Sequence, residues 1–280
     1  RMRRAIRIFF WLALAALLLI AAFATVQYHR APPLEPYLSL TLPQADNAAP
    51  GVVRVRFGGV ATLLFDDGET AWMTDGFFSR PGLLATAATR IGPDPQRIDA
   101  ALRQMAVTRL AAVVPVHSHY DHAMDSPVVA QRTGAKLIGS VSTMRIGRGF
   151  GLPSNQMQLV QSGEQVRLGK FVLRFIASRH SPTPYSDGHS VELIESDLAP
   201  PQRVFAWREG TVWSIHVTHD NGGTWLVQGS AGFVPGALAG LHADTVFLGT
   251  GTLGKKAENY RAQFWGETVK AVGAKRVVPI

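Results

Sequence analysis

The chain has 280 residues, enough to bury a sizeable core, and its 46% hydrophobic and 17% charged residues are typical of a globular protein. The formal net charge of +8 does not indicate a nucleic-acid partner, because five arginines before Glu35 leave only about +3 for the rest of the chain. The absence of cysteine excludes disulfides, thiolate nucleophiles and thiolate zinc ligands.

Residues 1–27 are predicted to form an N-terminal transmembrane anchor or signal helix. Ile8–Val26 is an uncharged, apolar run that as a helix spans about 28 Å, close to the hydrocarbon thickness of a bilayer. Arginines on one side only predict a single pass through the inner membrane, with a cytoplasmic N-terminus and the rest in the periplasm. The run exceeds the usual signal h-region and so favours a retained anchor. Cleavage after Ala22-Phe23-Ala24 is the alternative, giving a secreted or periplasmic protein.

Residues 28–50 are rich in proline and predict a linker. Residues 51–280 are predicted to form one folded domain. Short β-branched runs bounded by Gly, Pro and Asp predict strands in this domain, with helices between some of them. The predicted strands are Val52–Phe57, Val60–Phe65, Ala71–Thr74, Leu110–Val116, Phe171–Ala177, Val212–Val217, Thr224–Gln228, Thr245–Leu248 and Val277–Ile280, and the predicted helices are residues 97–107 and the amphipathic segment Lys256–Val272. This pattern predicts layered sheets flanked by helices.

A cluster of imidazoles follows the apolar run Leu110–Val116. Its sequence is His117-Ser118-His119-Tyr120-Asp121-His122. On an extended segment, side chains two residues apart point to one side, so His117 and His119 can reach one ion. Neutral imidazole is the commonest transition-metal ligand in proteins, and Asp121 adds a hard oxygen. The cluster therefore predicts a metal site at the end of a buried strand.

The pattern His-x-His-x-Asp-His after a strand resembles the signature of the metallo-β-lactamase-fold superfamily. The resemblance covers residues 52–280: Thr74-Asp75-Gly76 resembles the end of the paired N-terminal strands at a buried Asp, and Arg179-His180-Ser181 stands where the superfamily has its third histidine. The form His-x-His-Tyr-Asp-His is similar to that of the phospholipase D acting on N-acyl-phosphatidylethanolamine and of lactonase-like members.

The resemblance implies a four-layer αββα sandwich with metal ions at one edge of the sheets. His117, His119 and His180 would hold a first Zn²⁺, and Asp121 and His122 a second. A zinc-bound hydroxide would then attack an ester, lactone, amide or phosphodiester bond, with Asp121 among the catalytic residues. The substrate would be a small molecule or derive from lipid.

Two departures from the superfamily pattern concern the second ion. Gly229-Ser230-Ala231-Gly232 places the neutral Ser230 where a bridging carboxylate is usual, and the last histidine would follow Ile280, so we expect the given chain to end just short of it. Ser230 leaves open the alternative of a catalytically silent binding or scaffold protein. It also makes the number of zinc ions, one or two, an open question.

Further candidates adjoin this set. Asp125 is expected either to cap or to orient the ligand helix, Asp75 to support a ligand or contact the substrate, and His189 to line the substrate pocket. The run from Gly249 to Lys256 contains the pattern G-x-x-x-x-G-K, but Lys256 replaces the Ser or Thr that binds magnesium in a phosphate loop. We therefore interpret this run as a glycine-rich turn at the rim of the metal site.

Overall fold

The computed structural model describes residues 2–29, 33, 35–41, 51–107, 109–183 and 191–280. The chain divides into two units, Arg1–Asn47 and Ala48–Ile280. The first contains helix α1 (Met2–His29) and a 3₁₀ turn, Glu35–Leu40. The part Met2–Val26 is long and apolar enough to cross a membrane, a property that signal sequences share. Whether α1 is an anchor or a cleaved signal stays a prediction.

The second unit contains two six-stranded sheets. The first has the order β1-β2-β3-β4-β5-β6 and the second the order β12-β11-β10-β9-β8-β7. The strands are β1 (Arg54–Gly59), β2 (Thr62–Asp66), β3 (Ala71–Thr74), β4 (Ala112–Val114), β5 (Lys136–Gly139), β6 (Met157–Leu159), β7 (Gln165–Leu168), β8 (Phe171–Ser178), β9 (Val212–His219), β10 (Thr224–Gln228), β11 (Thr245–Leu248) and β12 (Arg276–Pro279). The helices are α2 (Leu83–Ala88), α3 (Pro95–Gln104), α4 (Tyr120–Ala123), α5 (Ser126–Thr133), α6 (Val141–Gly149) and α7 (Glu258–Trp265).

The strand sequences are apolar on both faces because both faces of each sheet are covered. On β2, Phe65 points between the sheets and packs with Phe171 of β8, whereas Leu64 points outward to helices α3 and α5. The Phe65 ring stacks on Trp72 at a centroid distance of 4.5 Å. Burying a side chain of this size contributes about 1.5–3 kcal/mol. Successive side chains of a strand point to opposite faces of the sheet. Each strand therefore contributes to the core between the sheets and to the core beneath the outer helices.

Helices complete the outer layers. Ile98 and Leu102 of α3 are buried with Val129 of α5 against the first sheet, and Phe264 of α7 is buried against the second. The order helix, sheet, sheet, helix is the predicted four-layer αββα sandwich, so the predicted fold class is confirmed.

The structure also has elements that the sequence did not predict. Strands β5, β6 and β7 and helices α5 and α6 were missed, since each spans nine residues or fewer and shows no clear period. The predicted helix Lys256–Val272 is shorter than expected: α7 ends at Trp265 and continues as a π-helical turn, Gly266–Lys270. The sequence places Tyr260, Phe264, Thr268 and Val272 on one face of this segment; the last three are buried and Tyr260 is half-buried.

A buried hydrogen-bonding contact joins the two sheets at the end of the sandwich opposite the C-terminus of β4. Nε2 of His219, at the end of β9, lies 3.1 Å from Oδ2 of Asp67, in the β2–β3 turn. The Asp67 carboxylate also accepts the backbone N–H groups of Glu69 and Thr70. Burial alone would raise the pKa of Asp67, but the Thr70 N–H and the His219 imidazole outweigh it and lower that pKa.

Candidate metal centre

The C-terminal ends of the parallel neighbours β3 and β4 form the base of the site. Asp75 follows β3 in a left-handed conformation, with φ 55°, which Asp tolerates better than most residues. Its Oδ1 accepts the N–H of Val116 at 2.8 Å, and its Oδ2 lies 2.7 Å from Nδ1 of His122. The buried Asp75 side chain therefore fixes both the end of β4 and one ring of the imidazole cluster.

The segment after β4 places its imidazoles side by side. Nε2 of His117 lies 3.1 Å from Nδ1 of His119. The backbone bends here instead of continuing as a strand, and the two rings pack edge to face with centroids 4.8 Å apart. His119 is also the N-cap residue of α4, and that short helix presents Asp121 and His122 half a turn later.

His180 reaches the same point from the second sheet. It follows β8, and its ring centroid lies 5.0 Å from that of His117 and 4.8 Å from that of His119. Its Nδ1 lies 2.9 Å from the carbonyl oxygen of Ser181. A carbonyl only accepts, so Nδ1 carries the hydrogen and Nε2 is left as the ligand atom.

The three imidazoles fit one ion. One nitrogen from each of His117, His119 and His180 lies within 4.8 Å of the others. Two nitrogens bound at 2.0–2.1 Å to one tetrahedral ion would be about 3.3–3.4 Å apart. The 3.1 Å between the His117 and His119 nitrogens is close to that spacing. The donor set is therefore suited to a transition-metal ion.

Asp121 and His122 form a second pair beside this cluster. Because Asp75 takes Nδ1 of His122, the Nε2 atom is directed away from it and lies 4.0 Å from Oδ2 of Asp121. Burial alone would lower the pKa of His122, but the carboxylates of Asp75 and Asp121 raise it. This pair lacks the close three-way convergence of the first cluster.

Ser230 lies in the cavity that contains these groups. The cavity measures about 260 Å³, and its lining residues include Asp121, His122, His180, Ser230 and Ile280. Oγ of Ser230 accepts the N–H of Ser181 at 3.0 Å, next to His180. Ser230 thus stabilises the His180 turn from the position where the superfamily resemblance implies a bridging carboxylate.

The predicted glycine-rich turn lies at the rim of this cavity. Gly249, Gly251 and Thr252 are among its lining residues. Oγ1 of Thr252 lies 2.8 Å from Oγ of Ser181, and Nζ of Lys256 donates to the carbonyl of Pro182. These contacts tie the turn to the His180 segment, which sequence reasoning did not anticipate because no motif marks them.

Asp125 acts differently from the sequence expectation. It occupies the N-cap position of α5, but its side chain makes no capping hydrogen bond. The buried carboxylate instead accepts the backbone N–H groups of Phe78 and Ser79 and the hydroxyl of Ser79, at 2.6–2.7 Å. Asp125 therefore attaches the segment after Asp75 to the ligand-bearing helices, and the capping prediction is wrong.

The remaining histidines do not join the cluster where the structure describes them. His216 lies 2.7 Å from the carbonyl of His242, and His219 pairs with Asp67. His189, expected to line the pocket, lies outside the described residues. A group that the sequence did not reveal is Glu209, whose carbonyl accepts the N–H of Ser118 at 2.7 Å. Burial and then Glu192 raise the pKa of Glu209 to about 7.

The three clustered imidazoles are held neutral. Burial, followed by the neighbouring His180, lowers the pKa of His119 to about 4. Burial also lowers the pKa of His117, well below its usual value, and that of His180. Imidazole binds metal in its neutral form, so at neutral pH these three side chains can bind an ion without first losing a proton.

We expect the affinity for a divalent ion to change little between about pH 8 and pH 6 and to fall steeply near pH 4. Protons compete with the metal only at a pH at which an imidazole becomes protonated. Because the pKa of His119 is lowered to about 4, this competition begins at a lower pH than for an ordinary histidine. Calorimetric titration of the metal-free protein across this range would measure it. An affinity that already falls below about pH 6.5, the ordinary histidine value, would contradict the expectation.

The similarities of this chain to known proteins are distant. No protein-family model matches the chain. A UPF0173 metal-dependent hydrolase from Chloroflexus aurantiacus is 29% identical over 84 residues, and this match covers 30% of the chain but only 35% of that protein.

Among solved structures, a metallo hydrolase from Ignicoccus hospitalis matches with a TM-score of 0.48 and 14% identity, covering 81% of each chain. The metallo-β-lactamase-fold protein YhfI from Bacillus subtilis matches with a TM-score of 0.45 and 14% identity, covering 78% of this chain and 77% of its own. The diiron β-hydroxylase CmlA from Streptomyces venezuelae matches with a TM-score of 0.47 and 14% identity, covering 83% of this chain and 45% of its own.

The chain has the αββα layer order that the resemblance to the metallo-β-lactamase fold implied. Its two six-stranded sheets carry the His-x-His-x-Asp-His segment after β4 and His180 after β8. The finer similarity to N-acyl-phosphatidylethanolamine-specific members stays a prediction.

Proposed function

We propose that the protein is a metal-dependent hydrolase whose primary ion is held by His117, His119 and His180. The observation that carries the proposal is the convergence of one nitrogen from each of these side chains within 4.8 Å. The metal-dependent hydrolase from Chloroflexus supports it over the short stretch of similarity. Zinc is the ion we propose, because three imidazoles with an open position are typical of catalytic zinc sites.

A bound divalent ion would polarise the scissile carbonyl or phosphoryl oxygen and activate a water molecule. The side chains of the chain itself position the reaction. Asp75 holds His122, the Ser181 carbonyl holds His180, and Asp121 presents its carboxylate to the same cavity. We propose that Asp121 orients the attacking water and, with His122, forms the second metal site.

Space for the substrate is present on both sides of His180. The cavity of about 260 Å³ lies on one side, and a neighbouring cavity of about 280 Å³ lies on the other. The second cavity is lined by Arg179, Phe233 and Tyr260 among others. Aromatic walls with one guanidinium suit a substrate that has an apolar part and a polar or anionic group.

Metal content and turnover together test the proposed function. The metal-free full-length chain would be loaded with zinc, analysed for bound metal, and assayed on a panel of ester, lactone, amide and phosphodiester substrates. Turnover that requires the ion supports the proposal. Tight metal binding with no turnover of any class favours the silent binding or scaffold alternative, which the neutral Ser230 left open.

The two metal sites are expected to fill unequally. Without a bridging carboxylate, two nearby cations repel each other with little compensation, so the three-histidine site should fill first. Changing Ser230→Asp should raise affinity at the second site by roughly tenfold or more, because a charge-assisted contact contributes about 1.5–3 kcal/mol. The carboxylate can still accept the Ser181 N–H.

Calorimetric titration of both forms measures this difference. Ser230→Asn is the matched control, since it adds volume without charge and should leave the second site weak. Two equally tight sites in the unaltered chain would contradict the expectation.

A further inference from the structure

Helix α2 exposes its apolar face instead of burying it. Leu83 and Leu84 are 60% and 84% exposed, whereas Thr86 is the only buried residue of the helix. The Thr86 hydroxyl is satisfied by the carbonyl of Gly82 at 3.1 Å. A surface helix of a soluble domain normally turns its apolar stripe to the core. The reversed orientation of α2 therefore indicates that its leucines have a partner outside the domain.

A second exposed apolar side chain lies on the segment that pairs with the residues after α2. Phe205 is 87% exposed, although its neighbours Val204 and Ala206 pack against a buried cluster that includes Ile91. The segment before Phe205 is joined to the segment after α2, because Ile91 and Gln202 exchange two backbone hydrogen bonds of 2.7 and 2.9 Å. We call Leu83, Leu84, Ala87 and Phe205 the outer apolar surface.

The edges of the outer apolar surface are cationic. Arg80 and Arg90 flank α2, and Arg203 lies two residues before Phe205; all three are exposed. Residues 80–93 and 199–208 contain no acidic residue. Apolar side chains surrounded by arginines match a bilayer that carries anionic lipid, because the chains insert at the interface while the cations remain at the headgroups.

The rest of the chain offers a reason for a bilayer to be the partner. The segment Met2–Val26 is long and apolar enough to span a membrane. A domain tethered to a bilayer stays at a high effective concentration beside it, so even weak contacts of a few side chains suffice for docking.

We propose that the outer apolar surface docks on the anionic membrane in which the N-terminal helix is inserted. Leu83, Leu84 and Phe205 enter the interfacial region, and Arg90 and Arg203 contact lipid phosphates. This interaction is independent of the metal site, since none of these residues belongs to it.

Spin labelling tests the proposal directly, because the chain has no cysteine and each introduced one is unique. Leu84→Cys and Phe205→Cys would each be labelled with a nitroxide in the full-length chain in vesicles of phosphatidylcholine with phosphatidylglycerol. Lys275→Cys, at a side chain 78% exposed on another part of the domain, is the matched control. Collision rates with oxygen, which enters bilayers, and with a water-soluble nickel chelate report the depth of each label.

The labels at 84 and 205 should collide more with oxygen and less with nickel than the label at 275, and high salt should weaken this contrast. In a chain labelled at Phe205→Cys, Leu84→Ser should lower the ratio of docked to undocked domain by roughly tenfold, since a leucine leaves an apolar environment. Because Leu84 is exposed, this variant should unfold at an unchanged temperature.

Equal nickel accessibility at positions 84, 205 and 275 would overturn the proposal. Spin–spin broadening that grows with the protein-to-lipid ratio, without oxygen access, would also overturn it, by showing that a second copy of the chain covers the surface.

Discussion

Replacing His180→Ala should remove tightly bound metal and lower hydrolysis by about 10³-fold or more. The variant leaves only His117 and His119 at the primary site, and two imidazoles do not hold an ion as three do. Loss of a group that polarises the substrate and activates water costs several kcal/mol of transition-state stabilisation, and each 1.36 kcal/mol is a factor of ten in rate. Metal analysis of the purified variant and a rate measurement at saturating zinc check both parts.

His242→Ala is the matched control, because that imidazole is 57% exposed and pairs only with Asp244 among the described side chains. It should keep both metal and rate. Full metal content in His180→Ala would show that another residue supplies the third ligand. Loss of rate with full metal content would instead place His180 in contact with the substrate.

Replacing Asp125→Ala should destabilise the domain by about 3–5 kcal/mol. The carboxylate is fully buried and accepts three hydrogen bonds, so its removal leaves two N–H groups and one hydroxyl unpaired inside the protein. Each unsatisfied buried donor costs about 1–3 kcal/mol. Thermal unfolding of the metal-free protein should show a midpoint lower by roughly 10 °C or more.

Two other variants separate this effect from simple loss of charge. Asp125→Asn keeps one acceptor oxygen and should lose about half as much stability. Asp220→Ala removes an exposed carboxylate, paired with Arg167 at the surface, and should cost less than about 1 kcal/mol. Equal effects of Asp125→Ala and Asp220→Ala would show that the buried hydrogen bonds contribute nothing net.

The sequence predicted most of the site because its ligands are local. Within six residues, His117 to His122 supply four candidate ligand side chains, and the short spacing of the first two keeps them together even though the backbone bends after β4. His180 was identified by the resemblance, since nothing in its own neighbourhood distinguishes it from other histidines. His180 lies near His117 only because the two sheets pack face to face, and the order of residues along the chain does not show that packing.

Other features could not be predicted for the same reason. Asp67 lies in the short turn between β2 and β3, where sequence alone suggests exposure, yet it is buried against His219, 152 positions further on. The role of Asp125 was assigned to the nearest helix, whereas its partners, Phe78 and Ser79, are more than 45 positions away. The exposure of apolar side chains could not be predicted from the sequence either. Helix α2 has the composition of a core helix, and only the structure shows that its leucines face outward.

The metal ligands come from both sheets, so a bound ion would also stabilise the folded protein. His117 and His119 follow a strand of one sheet and His180 follows a strand of the other, while Asp67 and His219 join the sheets at the opposite end. At the metal-site end the sheets are already joined by the hydrogen bond from the Trp213 N–H to the Val116 carbonyl, 2.8 Å long, and a bound ion would add a second cross-link there. At a free concentration one hundred times its Kd, a bound ion adds about 2.7 kcal/mol to the free energy of unfolding. In a metal-poor compartment the protein would lose this contribution and open more often, so metal starvation would shorten the protein's survival as well as silence its site.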